Sequence, residues 1–228
     1  MGPTTAFSTL SVPKVRARRS FAALMDRQPD GPSSIAAPWA WHPVGMPFPA
    51  ALPGEVAADP WLLRVLSDAD WKLAWTMSRD PDVVRWTLHP PEMTEEAAHR
   101  RSRRITESAN QRLSGHYAVL DPDNAAVGTA GIASNEGDAN DAEVFYALLP
   151  AGRHRGAATA ATIALSEWAF STGVERVLLL TIPGNTASEA VARRAAFLPD
   201  GEEIRDHRGS PTSMRRWARS TRVGCWPG

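Results

Sequence analysis

The chain contains a single cysteine, Cys225, among its 228 residues. One cysteine cannot close an internal disulfide, and it excludes a metal site built from several cysteines. No apolar run approaches the roughly 18 residues that a membrane-spanning helix requires. The basic residues at positions 14–19 are not followed by an apolar segment, so we predict no secretory signal. These absences favour a cytoplasmic protein with no metal and no membrane partner.

The chain also has no net charge at pH 7, because 25 basic residues balance 25 acidic ones. Its sequence pI is accordingly about 7.0. A neutral chain has no general electrostatic reason to bind nucleic acid. The basic residues are 23 arginines and two lysines, Lys14 and Lys72, which we interpret as a coding bias. Hydrophobic residues make up 43% of the chain, enough for the core of one domain with an appendage.

The first 59 residues differ in composition from the rest. Prolines recur throughout this segment and interrupt every potential helix. Large apolar side chains are unusual in a free linker, so we expect residues 37–53, with Trp39, Trp41 and Phe48, to lie extended on a domain surface. We therefore predict a Pro-rich N-terminal extension, partly docked (residues 1–59), a domain (60–218) and a C-terminal tail (219–228).

In the rest of the chain, apolar periodicity and turn signals predict both strands and helices. Ser67 and Asp70 have the spacing of a capping box, and Asp80-Pro81 ends the helix that it opens. The aliphatic segment 176–182 is typical of a strand parallel to segment 142–149, joined to it by a crossover helix. We predict an α/β (α+β) fold whose mixed sheet has about seven strands, with four helices. The strands are 61–66, 117–120, 126–133, 142–149, 176–182, 197–204 and 213–218; the helices are 68–79, 94–111, 157–172 and 185–196.

The segment that follows strand 142–149 has the composition of an anion-binding loop. Pro150 and Gly152 end the strand, and small residues then lead directly into a helix. A helix start presents unpaired N–H groups and the positive end of the helix dipole, which suit a phosphate. An ordinary helix start with two solvated arginines is the alternative on these residues alone. The predicted loop comprises Arg153, His154, Arg155, Gly156, Ala157, Ala158 and Thr159.

The pattern Arg153-x-x-Gly156-x-Ala158 after a strand resembles the pyrophosphate loop of the GNAT (GCN5-related) N-acetyltransferases. Downstream, segment 183–192 followed by Phe197 is similar to the second signature of the RimJ/RimL-type branch. Two motifs in the right order make the resemblance specific, and it covers roughly residues 60–218. It implies a splayed central sheet and an N-acyltransferase that uses acetyl-CoA or another acyl-CoA as co-substrate. The implied acceptor is a primary amine, on a small molecule or at a protein N-terminus.

Acyl transfer needs a held donor, a polarised carbonyl, a deprotonated amine and a protonated thiolate. The resemblance implies that a backbone N–H near Leu148 or Leu149 polarises the carbonyl. Asn185, otherwise a helix N-cap, would contact the pantetheine arm or the acceptor region. Ser188 would protonate the leaving thiolate, a role that other members of the superfamily give to a tyrosine. Glu143, otherwise a strand-end carboxylate in solvent, would deprotonate the amine.

His116 is a reserve candidate for the base, because it begins a strand expected to line the same cleft. One departure from the family pattern concerns the end of the helix that carries Ser188. The family has glycine before the phenylalanine, whereas this chain has Ala196 before Phe197. If that position takes a positive φ as a helix C-cap, alanine is strained there by roughly 1 kcal/mol.

Two other functions stay open on the sequence. The donor could be an aminoacyl-tRNA, with the arginines of helix 94–111 (Arg100, Arg101, Arg103 and Arg104) on the RNA backbone, although the neutral charge argues against it. Those arginines could instead hold an anionic substrate, or simply be solvated. The chain could also be a non-catalytic acyl-CoA-binding module. The unusual N-terminal extension favours a small-molecule acceptor over a ribosomal protein, and a homodimer is possible.

Overall fold

The computed structural model describes residues 47–134 and 140–221. Trp39, Trp41, Cys225 and residues 135–139 therefore lie outside the described residues. One sheet of eight strands, in the order β1-β2-β3-β4-β5-β6-β8-β7, organises the described chain. The strands are β1 (Glu55–Ala58), β2 (Trp61–Val65), β3 (Ser114–Leu120), β4 (Ala126–Ser134), β5 (Asp141–Leu148), β6 (Arg176–Thr181), β7 (Leu198–His207) and β8 (Ser210–Ser220). The α-helices are α1 (Trp71–Met77), α2 (Pro81–Trp86), α3 (Glu95–Asn110), α4 (Ala157–Ser171) and α5 (Thr186–Arg194).

The α/β fold class is confirmed, with small differences in the number of elements. β5 and β6 are parallel and are joined through α4, as predicted, and all other neighbouring strands are antiparallel. The additional strand is β1, which pairs with β2 although its residues lie in the segment interpreted as the extension. In the described chain no helix combines the length and apolarity needed to cross a membrane.

The additional helix is α2. It begins at Asp80-Pro81, where the sequence predicted only the end of the preceding helix. Asp80 accepts a hydrogen bond from the Val83 N–H at 2.9 Å, so Asp80 caps α2 while Pro81 takes its first position. Proline has no N–H to lose at that position, and its fixed φ suits the first helical turn. The Asp80-Pro81 pair therefore stops one helix and starts the next.

The strands of the terminal hairpin are longer than predicted. β7 and β8 are joined by only two residues, Arg208 and Gly209, with φ values of 56° and 83°. Two positive φ values are typical of the type I′ turn that matches the twist of a hairpin. Sequence patterns missed the ends of these strands because charged and polar residues fill them.

Helices cover both faces of the sheet. On one face, α4 packs its buried small side chains against the strands, and Phe48 is 2% exposed beside Trp168, with ring centroids 5.1 Å apart. The Phe48 N–H also donates to the Arg112 carbonyl at 2.9 Å. On the other face lie α1 and α3, which pack against each other and against β4 and β3. The candidate site lies at the middle of the sheet, between these two helical layers.

The C-terminus of α5 shows the strain that the sequence predicted. Ala196 has φ 62°, the left-handed conformation that glycine adopts without cost. The Phe197 N–H donates to the Ala192 carbonyl at 2.9 Å, and the Ala196 N–H donates to the Arg193 carbonyl at 3.2 Å. This pair of bonds is the Schellman motif, which ends many helices. The helix thus ends as the family pattern requires, with alanine in the glycine position.

Replacing Ala196 with glycine should stabilise the protein. The substitution removes the Cβ clash of the left-handed conformation, and the greater freedom of glycine in the unfolded chain offsets part of the gain. We expect a rise of about 0.5–1 kcal/mol in the free energy of unfolding, measured by urea denaturation. Ala195→Gly, one residue earlier in a conformation with negative φ, should be destabilising, and equal effects of the two changes would refute the strain.

Candidate active site

The sheet opens in its middle because β5 and β6 stay paired over only half the length of β5. Pairing runs from Asp141, opposite Arg176, to Val144, opposite Leu179, and then stops. β5 continues to Leu148 with β4 as its neighbour on the other side. At the closed end, the Arg176 Nε donates to the Asp141 Oδ1 at 3.0 Å, and Asp141 is 5% exposed. In the described chain no strand pairs with the β6-facing edge of residues 145–148, so an extended ligand can reach the N–H groups there.

Backbone alternation decides which N–H groups face this opening. The Leu149 N–H donates to the Val127 carbonyl of β4 at 2.9 Å, so it is engaged on the β4 side. Neighbouring residues of an antiparallel strand direct their N–H groups to opposite sides. The Leu148 N–H therefore points towards the opening, as does that of Tyr146. Of the two candidate N–H groups, the geometry favours Leu148.

The loop after β5 has the backbone form of an anion cradle. His154 has φ 60° and Gly156 has φ 86°, so left-handed residues alternate with others just before α4. A left-handed residue can turn the N–H groups beside it towards one concave side, which suits an anion. Gly156 is the N-cap of α4, and a Cβ built on it would meet nothing within 4 Å. The glycine is therefore required by its positive φ, while the space beside it is open.

The arginines of this loop make defined contacts within the protein. Arg153 binds both carboxylates at the start of α2, Asp80 and Asp82, the latter at 3.0 Å. Its Nε also donates to the Leu148 carbonyl at 3.0 Å, so it fastens the end of β5 to α2. The exposed Arg155 lies over the Trp61 ring, 5.1 Å from its centroid, and donates to the Ala151 carbonyl. The prediction that these residues bind a phosphate stays a prediction.

Two hydroxyl groups meet beside the opening. The Tyr146 hydroxyl and the Ser188 Oγ are 2.7 Å apart, and either can be the donor. The Asn185 Oδ1 accepts the Ser188 N–H at 3.1 Å, which confirms the N-cap interpretation of Asn185 and fixes the start of α5. Burial raises the pKa of Tyr146 to about 12, and the hydrogen bond to Ser188 opposes this shift. Tyr146 is therefore protonated at neutral pH and can donate a proton.

Glu143 lies on the opposite face of β5. Successive side chains of a strand alternate between faces. Tyr146 and Leu148 pack with the α4 residues, whereas Phe145 packs with Leu113 and Ala133 on the α3 side. Glu143 shares the face of Phe145, and its Oε2 lies 3.4 Å from a guanidinium nitrogen of Arg205, which is 4% exposed. Glu143 is thus held in an ion pair and is not a strand-end carboxylate in open solvent.

The tip of the β7–β8 hairpin reaches the helices on the Glu143 face. Arg208 donates to the carbonyls of Val84 and Thr87, at 2.7 and 3.1 Å, and to that of His89. These carbonyls belong to the end of α2 and the connection to α3. The hydrogen bonds of Arg208 thus hold the hairpin tip against the connection between α2 and α3.

A family model described as the acetyltransferase (GNAT) domain matches residues 61–198, more than half of the chain. The chain belongs to the GNAT acetyltransferase family. The resemblance derived from the two sequence motifs is thereby confirmed. Acyl transfer to an amine is the activity that this membership supports.

Solved GNAT structures share the fold at low sequence identity. An acetyltransferase from Salmonella typhimurium that modifies the N-terminal serine of a 50S ribosomal subunit protein has 17% identity and a TM-score of 0.64, with 74% of this chain and 99% of that chain covered. A GNAT-family acetyltransferase from Bacillus anthracis has 19% identity and a TM-score of 0.62, covering 73% and 98%. An aminoglycoside acetyltransferase, AAC(6')-Ib, in complex with coenzyme A has 16% identity and a TM-score of 0.58, covering 70% and 94%. No curated protein sequence matches the chain significantly.

Within this GNAT chain, the structure gathers most of the site residues proposed from sequence around one opening. The loop 153–159, the Leu148 backbone, Asn185 and Ser188 surround it, and Glu143 lies on its other face. Sequence reasoning missed Tyr146 as a site residue, although its place in the core strand was read correctly. The available signal was its position, two residues before Leu148 and therefore on the same side of the strand.

His116 is buried beneath α3. Its ring lies 4.8 Å from that of Phe145, and it is 5% exposed. Burial, then the charges of Arg101 and His89, lowers the pKa of His116 from 6.5 to about 3. Burial likewise lowers the pKa of His89 to about 4. His116 is consequently neutral and a weak base at neutral pH, which disfavours its role as the base of the reaction.

The pKa of His116 predicts a pH dependence of stability. The unfolded chain binds this proton near pH 6.5, whereas the folded protein does not bind it until about pH 3. The free energy of unfolding should therefore fall as the pH drops below about 6.5 and be insensitive to His116 above it. In His116→Gln, the free energy of unfolding, measured by urea denaturation between pH 4 and 7, should change less steeply with pH than in the wild type. An unchanged slope, matching that of the exposed-site control His154→Gln, would contradict the assignment.

Proposed function

We propose that this protein transfers an acetyl or other short acyl group from acyl-CoA to a primary amine. The observation that carries the proposal is the opening between β5 and β6, which has an anion cradle at one end and the Tyr146–Ser188 hydroxyl pair at its side. The opening supplies an unpaired strand edge, the cradle supplies N–H groups, and the hydroxyl pair supplies a proton.

The donor would lie along the open edge of β5. Its pyrophosphate suits the N–H groups at the start of α4 and the left-handed residues His154 and Gly156, with the exposed Arg155 close by. Ala157 and Ala158 are small and buried, so the backbone can be approached closely there. An extended amide-containing arm can pair with the Tyr146 and Leu148 backbone as an added strand would. This places the thioester near the Leu148 N–H.

The reaction forms a bond from the amine nitrogen to the acyl carbon and breaks the carbon–sulfur bond. The Leu148 N–H would stabilise the negative charge that develops on the carbonyl oxygen. The thiolate would take its proton from the Tyr146–Ser188 pair, in which Tyr146 is kept protonated by burial. The amine would approach from the opposite face and pass its proton to Glu143 through water.

The two faces of the opening account for this division of roles. An amine attacks a thioester from above or below the plane of the carbonyl group, whereas the sulfur that leaves lies in that plane, so the base and the acid are needed at different positions around the acyl carbon. The structure has a carboxylate, Glu143, on the α3 face and the hydroxyl pair on the α4 face. Acids and bases held apart in this way can act in the same step without neutralising each other.

The acceptor is proposed to be a small amine or a protein N-terminus. Among the structural neighbours, one modifies the N-terminal serine of a ribosomal subunit protein and another is an aminoglycoside acetyltransferase. In this chain the hairpin tip is fastened to the α2–α3 connection by Arg208. We expect a fixed contact of this kind near the acceptor to leave room for a small molecule more readily than for a polypeptide.

Gly156→Glu tests the donor site. The substitution introduces a carboxylate where the pyrophosphate should lie and strains a residue whose φ is 86°. We expect the Kd for CoA, measured by calorimetry, to rise at least 100-fold. Gly173→Glu is a matched control, because Gly173 follows the other end of α4, has φ 99° and has open space at its Cβ. Near-unchanged CoA affinity in Gly156→Glu, or equal loss in both variants, would refute the donor site.

Tyr146→Phe and Ser188→Ala test the proton donor. Each should lower kcat roughly 10²-fold and leave the Kd for CoA unchanged, since the proton is needed only in the transition state. Because the two hydroxyls are 2.7 Å apart, the double variant should lose little more than either single one. Tyr117→Phe is the control, as the buried Tyr117 hydroxyl finds no hydrogen-bond partner among the described residues. Wild-type kcat in both single variants would show that the pair is structural.

A further inference from the structure

The ring of Phe145 lies across β4, away from the opening of the sheet. Phe145 belongs to the part of β5 that is no longer paired with β6, and it is directly opposite Gly131 of β4. A Cβ built on Gly131 would lie 2.4 Å from both Cε2 and Cζ of the ring. The ring centroid is also 4.8 Å from that of His116, the β3 residue opposite Gly131. The ring therefore extends from β5 over β4 towards β3.

Gly131 makes this position of the ring possible. A real Cβ cannot approach a ring carbon to 2.4 Å, so an alanine at position 131 would displace the ring. Leu113 and Ala133 pack against the seated ring from the β3–β4 side. Because the ring is held over β4, it does not fill the β6 side of Phe145 on the α3 face. The glycine thus keeps the bulk of the ring out of the place where β5 and β6 separate.

A second apolar side chain borders the opening from β6. Leu178 is opposite Glu143 and shares its face of the sheet, so Leu180, two residues later, shares that face as well. Leu180 lies beyond the last residue pair of β5 and β6, and β8 holds its backbone through the pair with Arg216. Phe145 and Leu180 are both partly exposed, so each offers apolar surface to a ligand. On the α3 face, the opening therefore has an apolar side chain on each rim and the Glu143 carboxylate at its closed end.

We propose that Phe145 and Leu180 bind an apolar group of the amine acceptor and that Phe145 determines acceptor specificity. An amine that reaches a thioester near the Leu148 N–H from the α3 face passes the side chains of β5 on that face, and Phe145 is among them. The ammonium group would lie towards Glu143, and the alkyl or aryl part would lie between the two rims. Ligand sites commonly combine apolar walls with a few polar groups in this way. This inference rests on the proposed function, since it names the class of acceptor.

Two amines of nearly equal shape test the subsite. The chain of n-pentylamine ends in a methyl group, and that of n-butanolamine, a terminal amino alcohol, ends in a hydroxyl group in the same place. We expect the wild type to have the lower KM for n-pentylamine, because the apolar rims do not bind a hydroxyl. Phe145→Ala and Leu180→Ala should each reduce this preference, the ratio of the two KM values, about five-fold. Phe145→Leu keeps an apolar side chain and should keep most of the preference.

Phe170→Ala is the matched control, because Phe170 is also partly exposed but belongs to α4, on the other face of the sheet. It should leave the preference unchanged, and all four variants should keep the wild-type Kd for CoA. If Phe145→Ala does not fold, Leu180→Ala decides. A wild type that prefers n-butanolamine, or a preference that survives in both alanine variants, would overturn the proposal.

Binding of n-pentylamine separates this proposal from the proposed function. Calorimetry should show weaker binding of n-pentylamine to Phe145→Ala than to the wild type or to Phe170→Ala, and this measurement needs no acyl transfer. Equal binding to the three proteins would refute the subsite. Failure to acylate any amine would instead refute the proposed function.

Discussion

The arrangement of the site depends on the point at which β5 and β6 separate. Parallel strands can stay paired only while their backbones remain in register and at one spacing, and here four residue pairs meet that condition. The ion pair between Asp141 and Arg176 and the buried Val144 hold the closed end. Beyond Val144, β4 continues to pair with β5 and keeps it rigid up to Leu148. An unpaired edge on a rigid strand is a precise place to bind an extended ligand.

The separation of the strands also divides the site into two environments. On the α4 face, the start of α4, the start of α5 and the Tyr146 hydroxyl converge, and their polar groups are N–H donors and protonated hydroxyls. On the α3 face, Glu143, Arg205 and the arginines of α3 place charged groups near the same strand. One strand carries both sets because its side chains alternate between faces. Glu143 and Tyr146 are therefore three residues apart and yet lie on opposite faces of the sheet.

Arginine fastens these elements to one another. Arg153 joins the end of β5 to the start of α2, Arg208 joins the β7–β8 turn to the end of α2, and Arg205 joins β7 to β5. A guanidinium has five donors in a planar fork, so it can bridge a carboxylate and several carbonyls in a way that an ammonium cannot. The preference for arginine over lysine, interpreted from the sequence as a coding bias, thus has structural consequences. The arginines hold the loops around the opening and do not only cover the surface.

Local patterns in the sequence by themselves determined much of the fold. The aliphatic run of β6, the strand–loop–helix order around Gly156 and the N-cap at Asn185 depend on neighbours in the chain, so they could be predicted together with the family resemblance. The strain at Ala196 was predictable for the same reason, because a helix end is set by a few consecutive residues. The missed elements were β1 and α2, whose short segments carry weak signals, and the full length of β7 and β8, whose charged residues conceal the strands.

Only the tertiary structure decided which side chains meet. Tyr146 and Ser188 are 42 residues apart in sequence and form a hydrogen bond because β5 and α5 converge at the opening. Glu143 forms an ion pair with Arg205, which is distant in the chain. His116 is buried from water by packing between elements that are likewise distant in sequence. The arginines of α3 were visible in the sequence, but the groove that three of them line with residues 90–94 depends on how that segment folds back on the helix. Spacing along the chain specifies the conformation of a segment, whereas contacts between segments arise only when burial of the core brings them together.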